Sequence, residues 1–192
     1  MSSTVSHGPE NPCEVVAGSA DFSHICCAAT RGELLSDLAR TVRGYSLAEL
    51  QDIRGQLERE FSHLPPGYRR RLYPKIMEQV FGTHHLLLVT SRKGIRGAGD
   101  RLGPDFAQYC DMAEREISRA EPRRKRSVLL YYLLAAFNLF VVSLPGHPVG
   151  TPFPGGSRVE LENGVYYCPI REKEDDVESS ICPYCPARQK DP

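Results

Sequence analysis

The sequence predicts a mainly α protein: a multi-helix bundle around one apolar central helix, with a C-terminal β-hairpin and a cysteine-rich metal-knuckle tail. Three observations lead there. Apolar residues recur at spacings of three and four from Leu34 to Ile117. Val128 to Leu144 is a run of seventeen residues without a charge. After Pro145 the chain turns to proline and glycine, then to an Asn163-Gly164 turn signal and three cysteines, Cys168, Cys182 and Cys185.

The elements follow in order. Gly32 to Val42 reads as a first helix with Leu34, Leu35, Leu38 and Val42 on one face, ended by Gly44. Ser46 and Glu49 form a capping-box pattern that opens a second helix. Leu47, Leu50, Ile53, Leu57 and Phe61 give it one buried stripe, and Leu64-Pro65-Pro66-Gly67 stops it. A third helical region covers about Tyr68 to Arg92, interrupted near Pro74 and Gly82. Gly94, Gly97 and Gly99 make a loop. Asp105, with Gln108 three residues on, is expected to cap a fourth helix that turns Phe106, Tyr109, Cys110, Ala113 and Ile117 inward. Ser127 to Leu144 is the fifth helix, apolar nearly all round and therefore the centre of the bundle. Its length falls short of the ~20 apolar residues a membrane span needs, and Asn138 and Ser143 interrupt it, so it is read as a core helix. Val159 and Leu161 alternate with charges before Asn163-Gly164, which gives a hairpin delivering Cys168 at the end of its second strand.

Three segments result: a flexible N-terminal extension over 1–30, a helical domain over 31–144, and a Pro/Gly loop, hairpin and metal-binding tail over 145–192. The extension is read as a tail or a small buried docking strand carrying Cys13, His24, Cys26 and Cys27. Its start has neither a basic segment nor an apolar run, so a cytoplasmic, reducing location is expected. There, all seven cysteines would be free thiols, metal ligands or redox groups rather than a disulfide framework. The 24 basic and 24 acidic residues balance, which excludes a global attraction to nucleic acid or anionic membrane. Residues 69–126 nevertheless hold fourteen Lys or Arg against seven acids.

Chemistry concentrates in the tail. Cys182-Pro183-Tyr184-Cys185 is a CxxC knuckle whose two thiolates can converge on one ion. Thirteen residues separate it from Cys168. A closed tetrahedral zinc site needs a fourth ligand. His147 is the first candidate, because its Pro/Gly loop can fold back onto the hairpin; Cys110, on an inward helix face, is the poorer one. Three cysteines also suit an iron–sulfur cluster with one open iron. A dithiol redox pair is disfavoured, since only seven residues follow Cys185 and no helix is available to stabilise a thiolate.

The remaining features read as structural. Arg69-Arg70-Arg71, Arg92, Lys93, Arg96, Arg101 and Arg123 to Arg126 suggest a phosphate-binding surface, but no aromatic platform is interleaved with them. The Lys93 to Gly99 loop matches no Walker or dinucleotide fingerprint. His84-His85 lacks an i+4 partner, and no nucleophile motif or carboxylate pair stands out.

The stretch from Val128 to Cys185 resembles an uncharacterised archaeal family, domain of unknown function 2115, found notably in methanogens. The residues that carry the resemblance are His147-Pro148-Val149-Gly150-Thr151-Pro152-Phe153-Pro154-Gly155-Gly156, Val165-Tyr166-Tyr167-Cys168-Pro169 and Cys182-Pro183-Tyr184-Cys185. The resemblance implies this architecture in a cytosolic protein and adds no reaction; an anaerobic host would favour the iron–sulfur option. The expected function is an interaction or adaptor protein with a structural zinc at Cys168, Cys182, Cys185 and His147, acting on a protein partner. Two alternatives stand beside it: an iron–sulfur protein with a redox or enzymatic role, and a nucleic-acid-associated protein using the basic centre. No membrane partner is expected.

Overall fold

Capping fixes the starts of two long helices. The Thr30 and Ser46 hydroxyls accept the N–H groups of Glu33 and Glu49, whose carboxylates accept the Thr30 and Ser46 N–H groups in return. Each reciprocal pair satisfies donors that a first helical turn leaves open. The computed structural model describes residues 22–174 and 176–190. Its helices are α1 (Ser23–Cys26), α2 (Arg31–Arg43), α3 (Leu47–Glu60), α4 (Pro66–Met77), α5 (Thr83–Lys93), α6 (Pro104–Arg119) and α7 (Lys125–Ala136). Two π-helical segments extend them: Glu78–Gly82 joins α4 to α5, and Phe137–Val141 continues α7.

The core lies where α2, α5, α6 and α7 meet. Leu34, Leu38 and Val42 of α2 are fully buried, as are Leu87 of α5, Tyr109 and Ala113 of α6 and Leu133 and Ala136 of α7. Burying a Leu-sized side chain stabilises by about 1.5–3 kcal/mol, so this shared cluster dominates the helical body. The loop after α5 leans on the start of α2. There the Gly32 N–H donates to the Ala98 carbonyl (2.8 Å), and a Cβ at Gly32 would lie 2.9 Å from that oxygen, a contact only glycine permits.

The tail forms a three-stranded sheet in the order β1 (Glu160–Glu162), β2 (Val165–Cys168), β3 (Arg188–Gln189). β1 and β2 are the expected hairpin, with Asn163 (φ 50°) and Gly164 (φ 79°) both in the left-handed region that a tight two-residue turn requires. β3, which no pattern announced, pairs parallel with β2, setting Tyr167 beside Arg188 and Cys168 beside Gln189.

The structure amends several expectations. The stripe on α3 is only partly used: Ile53 is buried, while Leu47 is 72% exposed. Pro74 sits inside α4 without ending it, and the interruption near Gly82 is a π-helical turn that carries the chain straight into α5. Gly103, with Pro104 behind it, starts α6, so Asp105 is a first-turn acid and not the cap. Residues 1–21 lie outside the described residues; from Phe22 onward the extension belongs to the body, with Phe22 and Ile25 buried in its core. The expectation of unpaired cysteines fails for Cys26, which is disulfide-bonded to Cys110 with the Cα atoms 5.7 Å apart. α1 packs on α6, and that docking brings together two cysteines separated by 84 positions. Cys110 is thereby removed as a metal ligand. Cys13 lies outside the described residues.

Candidate functional site

The three tail cysteines are reduced; Cys168 and Cys182 are buried and Cys185 is half-buried. Cys168 ends β2 and is followed by a turn in which the Ile170 N–H bonds its sulfur. Cys182-Pro183-Tyr184 forms a 3₁₀ turn closed by the Cys185 N–H on the Cys182 carbonyl (2.9 Å). Ser180 supports this turn: its hydroxyl accepts the Cys182 N–H (3.1 Å) and is also hydrogen-bonded to the Cys182 sulfur. Proline at the second position of both turns presets the backbone.

The two turns are held together from three directions. The parallel pairing of β2 with β3 returns the chain to Cys168 at Gln189, four residues after Cys185. Gln189 donates its side-chain amide to the Pro169 carbonyl (3.0 Å) and accepts the Glu172 N–H (3.0 Å). Arg171 donates to the carbonyls of Pro183 (3.0 Å) and Cys185 (3.3 Å). Sequence reasoning passed over Arg171, although the signal was there. Cys168-Pro169-Ile170-Arg171 and Cys182-Pro183-Tyr184-Cys185 are two copies of one Cys-Pro turn, with arginine in the first where cysteine stands in the second.

A further anchor comes from Tyr184. Its ring stands edge-on to Tyr109 (5.4 Å between centroids, 90°) and near Phe140 (6.3 Å), so the knuckle inserts an aromatic side chain into the helical core. Tyr132 of α7 donates its hydroxyl to the Ser179 carbonyl (3.2 Å), tying down the approach to the knuckle.

Burial pushes the Cys168 and Cys182 thiols above their ordinary value, and the neighbouring sulfurs push the same way. Such thiols are poor nucleophiles at neutral pH, which weighs further against a dithiol redox pair. Cys185 packs against the small apolar cluster that contains Cys168. As the side chains stand, no group of three or more His, Cys, Asp or Glu among the described residues is arranged to hold a metal ion. His147 rests edge-on against Phe153 (5.6 Å, 84°), which belongs to the small apolar cluster around Cys168. Burial pushes its imidazole below the ordinary value, leaving it neutral and able to donate a lone pair.

Three residues of the basic centre are paired. Arg124 pairs with Glu60 (2.8 Å), Arg126 pairs with Glu49 (2.8 Å) and stacks over Tyr45 (3.9 Å), and Arg123 pairs with Glu121 (2.9 Å). The pairs of Arg124 and Arg126 link the start of α7 to α3. His24 is bonded to Thr41 (3.0 Å), in keeping with a structural role. Among the described residues, no helix is long and apolar enough to cross a membrane.

Comparison with known proteins identifies a family. The family model described as an uncharacterized protein conserved in archaea (DUF2115) matches residues 30–190. A UPF0305 protein of Methanothermobacter thermautotrophicus is 24% identical over 158 residues, covering 81% of this chain and 94% of that one. A UPF0305 protein of Methanocaldococcus jannaschii is 24% identical over 160 residues, covering 83% and 96%. A UPF0305 protein of Methanopyrus kandleri is 43% identical over 71 residues, covering 36% and 50%. No solved structure matches.

Proposed function

The chain belongs to the archaeal family DUF2115, and we propose that its tail is a structural zinc module of an interaction or adaptor protein. Cys168, Cys182 and Cys185 are the thiolate ligands, and His147 closes the fourth position. The observation that carries this reading is the pairing of β2 with β3, which returns the chain on the far side of the knuckle to Cys168. Two Cys-Pro turns held side by side by this pairing and by Arg171 and Gln189 suit a thiolate site. Zinc would replace thiol protons and draw the ligands together. With four protein ligands the ion has no open position for substrate, so its contribution is to hold a surface in shape and not to carry out a reaction.

Metal analysis and an absorption spectrum of anaerobically purified protein test the proposal. One zinc per chain and no visible absorption are expected. A brown protein with broad visible absorption would replace zinc by an iron–sulfur cluster, the reading that three cysteines and one open iron favour. Protein that carries no metal and takes up none would end both.

A further inference from the structure

Five large apolar side chains stand exposed among the described residues, and three of them gather beside the tail sheet. Leu86 and Val149, each 40% exposed, line a cavity of about 340 Å³ that Tyr166 of β2 also lines. Val149 borders a second hollow too, a groove of about 450 Å³ along β1 that is lined by Leu161, itself 49% exposed. Leu161 is the cross-strand partner of Tyr166, so Val149 and this pair connect the two hollows, on the module that carries Cys168. Clustered exposed apolar side chains mark interaction sites.

The groove follows an open sheet edge. Glu162 and Val165 flank the two-residue turn as its closing hydrogen-bonded pair, so the next residue back, Leu161, directs its N–H and C=O away from β2. By the same alternation Val159 also points outward, and there the edge is covered. The Gly150 N–H donates to the Val159 carbonyl (2.8 Å), and the Val159 N–H donates to the Thr151 carbonyl (3.1 Å). Gly150, with φ 86°, belongs to a turn closed by the Thr151 N–H on the Pro148 carbonyl (3.0 Å), and this turn parts the loop from the edge before Leu161. The groove fills the gap, with Val149 and Gly150 on one side and residues 158–162 on the other. Among the described residues, nothing bonds the Leu161 N–H or C=O.

Open edges are commonly guarded by charge. Here the charges cancel. Lys190 pairs with both Glu160 and Glu162, and Arg158 pairs with Glu160 (3.3 Å). A strand laid along β1 therefore meets two acids and two bases, with no net charge to repel it.

We propose that the outer edge of β1 receives an extended segment of a partner protein as a further strand. The segment's backbone exchanges two hydrogen bonds with Leu161, and apolar side chains at its alternate positions cover Leu161, Val149 and Leu86. Backbone pairing supplies affinity in such a complex, and the hollows for alternate side chains supply selectivity. The inference rests on the adaptor reading, for which it names the chemistry of the partner, and does not depend on zinc.

Random heptapeptides displayed on phage and selected on the full chain supply the probe. Enriched sequences are expected to alternate apolar residues. The best of them, synthesised and titrated into the ¹⁵N-labelled chain, should give saturable amide shifts at Leu86, Val149 and Leu161. N-methylating the central amides of the peptide one at a time should weaken binding roughly tenfold at one position, the upper end for a single hydrogen bond. Val149→Asp and Leu161→Lys, both at exposed positions, should each abolish binding. The proposal is overturned if no selected peptide shifts these amides, if every N-methylated peptide binds like its parent, or if both variants keep full binding. Sedimentation of the chain alone that shows a dimer broken by Leu161→Lys would give the edge to a second copy instead. Zinc content measured on the same samples separates the two readings. Peptide binding by a chain that takes up no metal ends the zinc reading alone, and a zinc-loaded chain that binds no peptide ends the docking edge alone.

Discussion

Arg171 bonds the backbone carbonyl of Cys185, its Nε donating at 3.3 Å, from the position in the first Cys-Pro turn that Cys185 holds in the second. The same guanidinium bonds the Pro183 carbonyl. A planar fork that meets two carbonyls of one turn fixes that turn in a way a lysine point charge does not. Arg171→Met should therefore loosen residues 168–190 by about 1.5–3 kcal/mol, the range for hydrogen bonds to a charged group, with Arg171→Lys recovering only part. Native-state hydrogen exchange reads this directly. Protection that is lost equally in α2 and α6 would mean Arg171 acts on the whole fold and not on the turn.

The helical body was largely legible because its signals are local. Ser46 and Glu49 announce a cap within four residues, and Phe106, Tyr109, Cys110, Ala113 and Ile117 announce a buried face by spacing alone. What escaped depends on tertiary placement. Leu47 has the spacing of a core residue, but α3 turns it to solvent. β3 is two residues long, too short to carry any pattern, and forms only because β2 is there to pair with. The repeated Cys-Pro turn was readable, and only attention to cysteine alone hid Arg171. Whether three sulfurs close on a metal is a matter of tenths of an ångström, a scale that spacing in sequence does not address.

The link between Cys26 and Cys110 spans 84 positions and fastens α1 to α6. Closing so long a loop restricts the unfolded chain, and such cross-links stabilise by roughly 2–4 kcal/mol. Reduction, or Cys110→Ala, should lower the urea midpoint accordingly and raise exchange first in residues 22–30. An identical midpoint for oxidised and reduced protein would show that Phe22 and Ile25 hold the segment unaided.

Cys182→Ser should release the tail while sparing the helices. Serine keeps the size of the side chain but not its affinity for zinc, so a metal-held tail loses order over residues 145–190 as the ion leaves. Exchange in α2, α6 and α7 should stay as in the parent protein. A tail equally protected in parent and variant contradicts a structural metal and leaves its anchoring to protein contacts such as those of Arg171, Gln189, Tyr184 and Tyr132.

Acid should destabilise the protein through His84. Burial holds its pKa below the ordinary 6.5, the nearby His85 adds to this, and its buried Nε2 has no partner. Above pH 6.5 both folded and unfolded chains carry it neutral, and its stabilising effect is complete. As the pH falls below 6.5 the unfolded chain takes up a proton that the folded chain refuses, so stability declines. His147, also depressed by burial, contributes in the same direction when no metal is bound. Urea midpoints between pH 7.5 and 5 should drop less steeply for His84→Leu than for the parent. Parallel slopes would show that His84 finds solvent in the native state.

The contacts of Tyr184 with Tyr109 and Phe140 decide whether the tail and the helical body unfold as one. Tyr109 is fully buried, donates its hydroxyl to the Tyr132 carbonyl (2.5 Å), and meets the Tyr184 ring edge-on. Aromatic pairs of this kind contribute about 0.5–1.5 kcal/mol beyond the area they bury. A double-mutant cycle with Tyr184→Leu and Phe140→Leu, which leaves the Tyr109 hydrogen bond in place, isolates the inserted ring. A coupling of about 1 kcal/mol is expected, together with faster exchange across 181–190 in either single variant. Additive effects would mean that the knuckle rests on the core without being keyed into it. The parallel strand pair and Arg171 would then have to account for the position of Cys182 on their own.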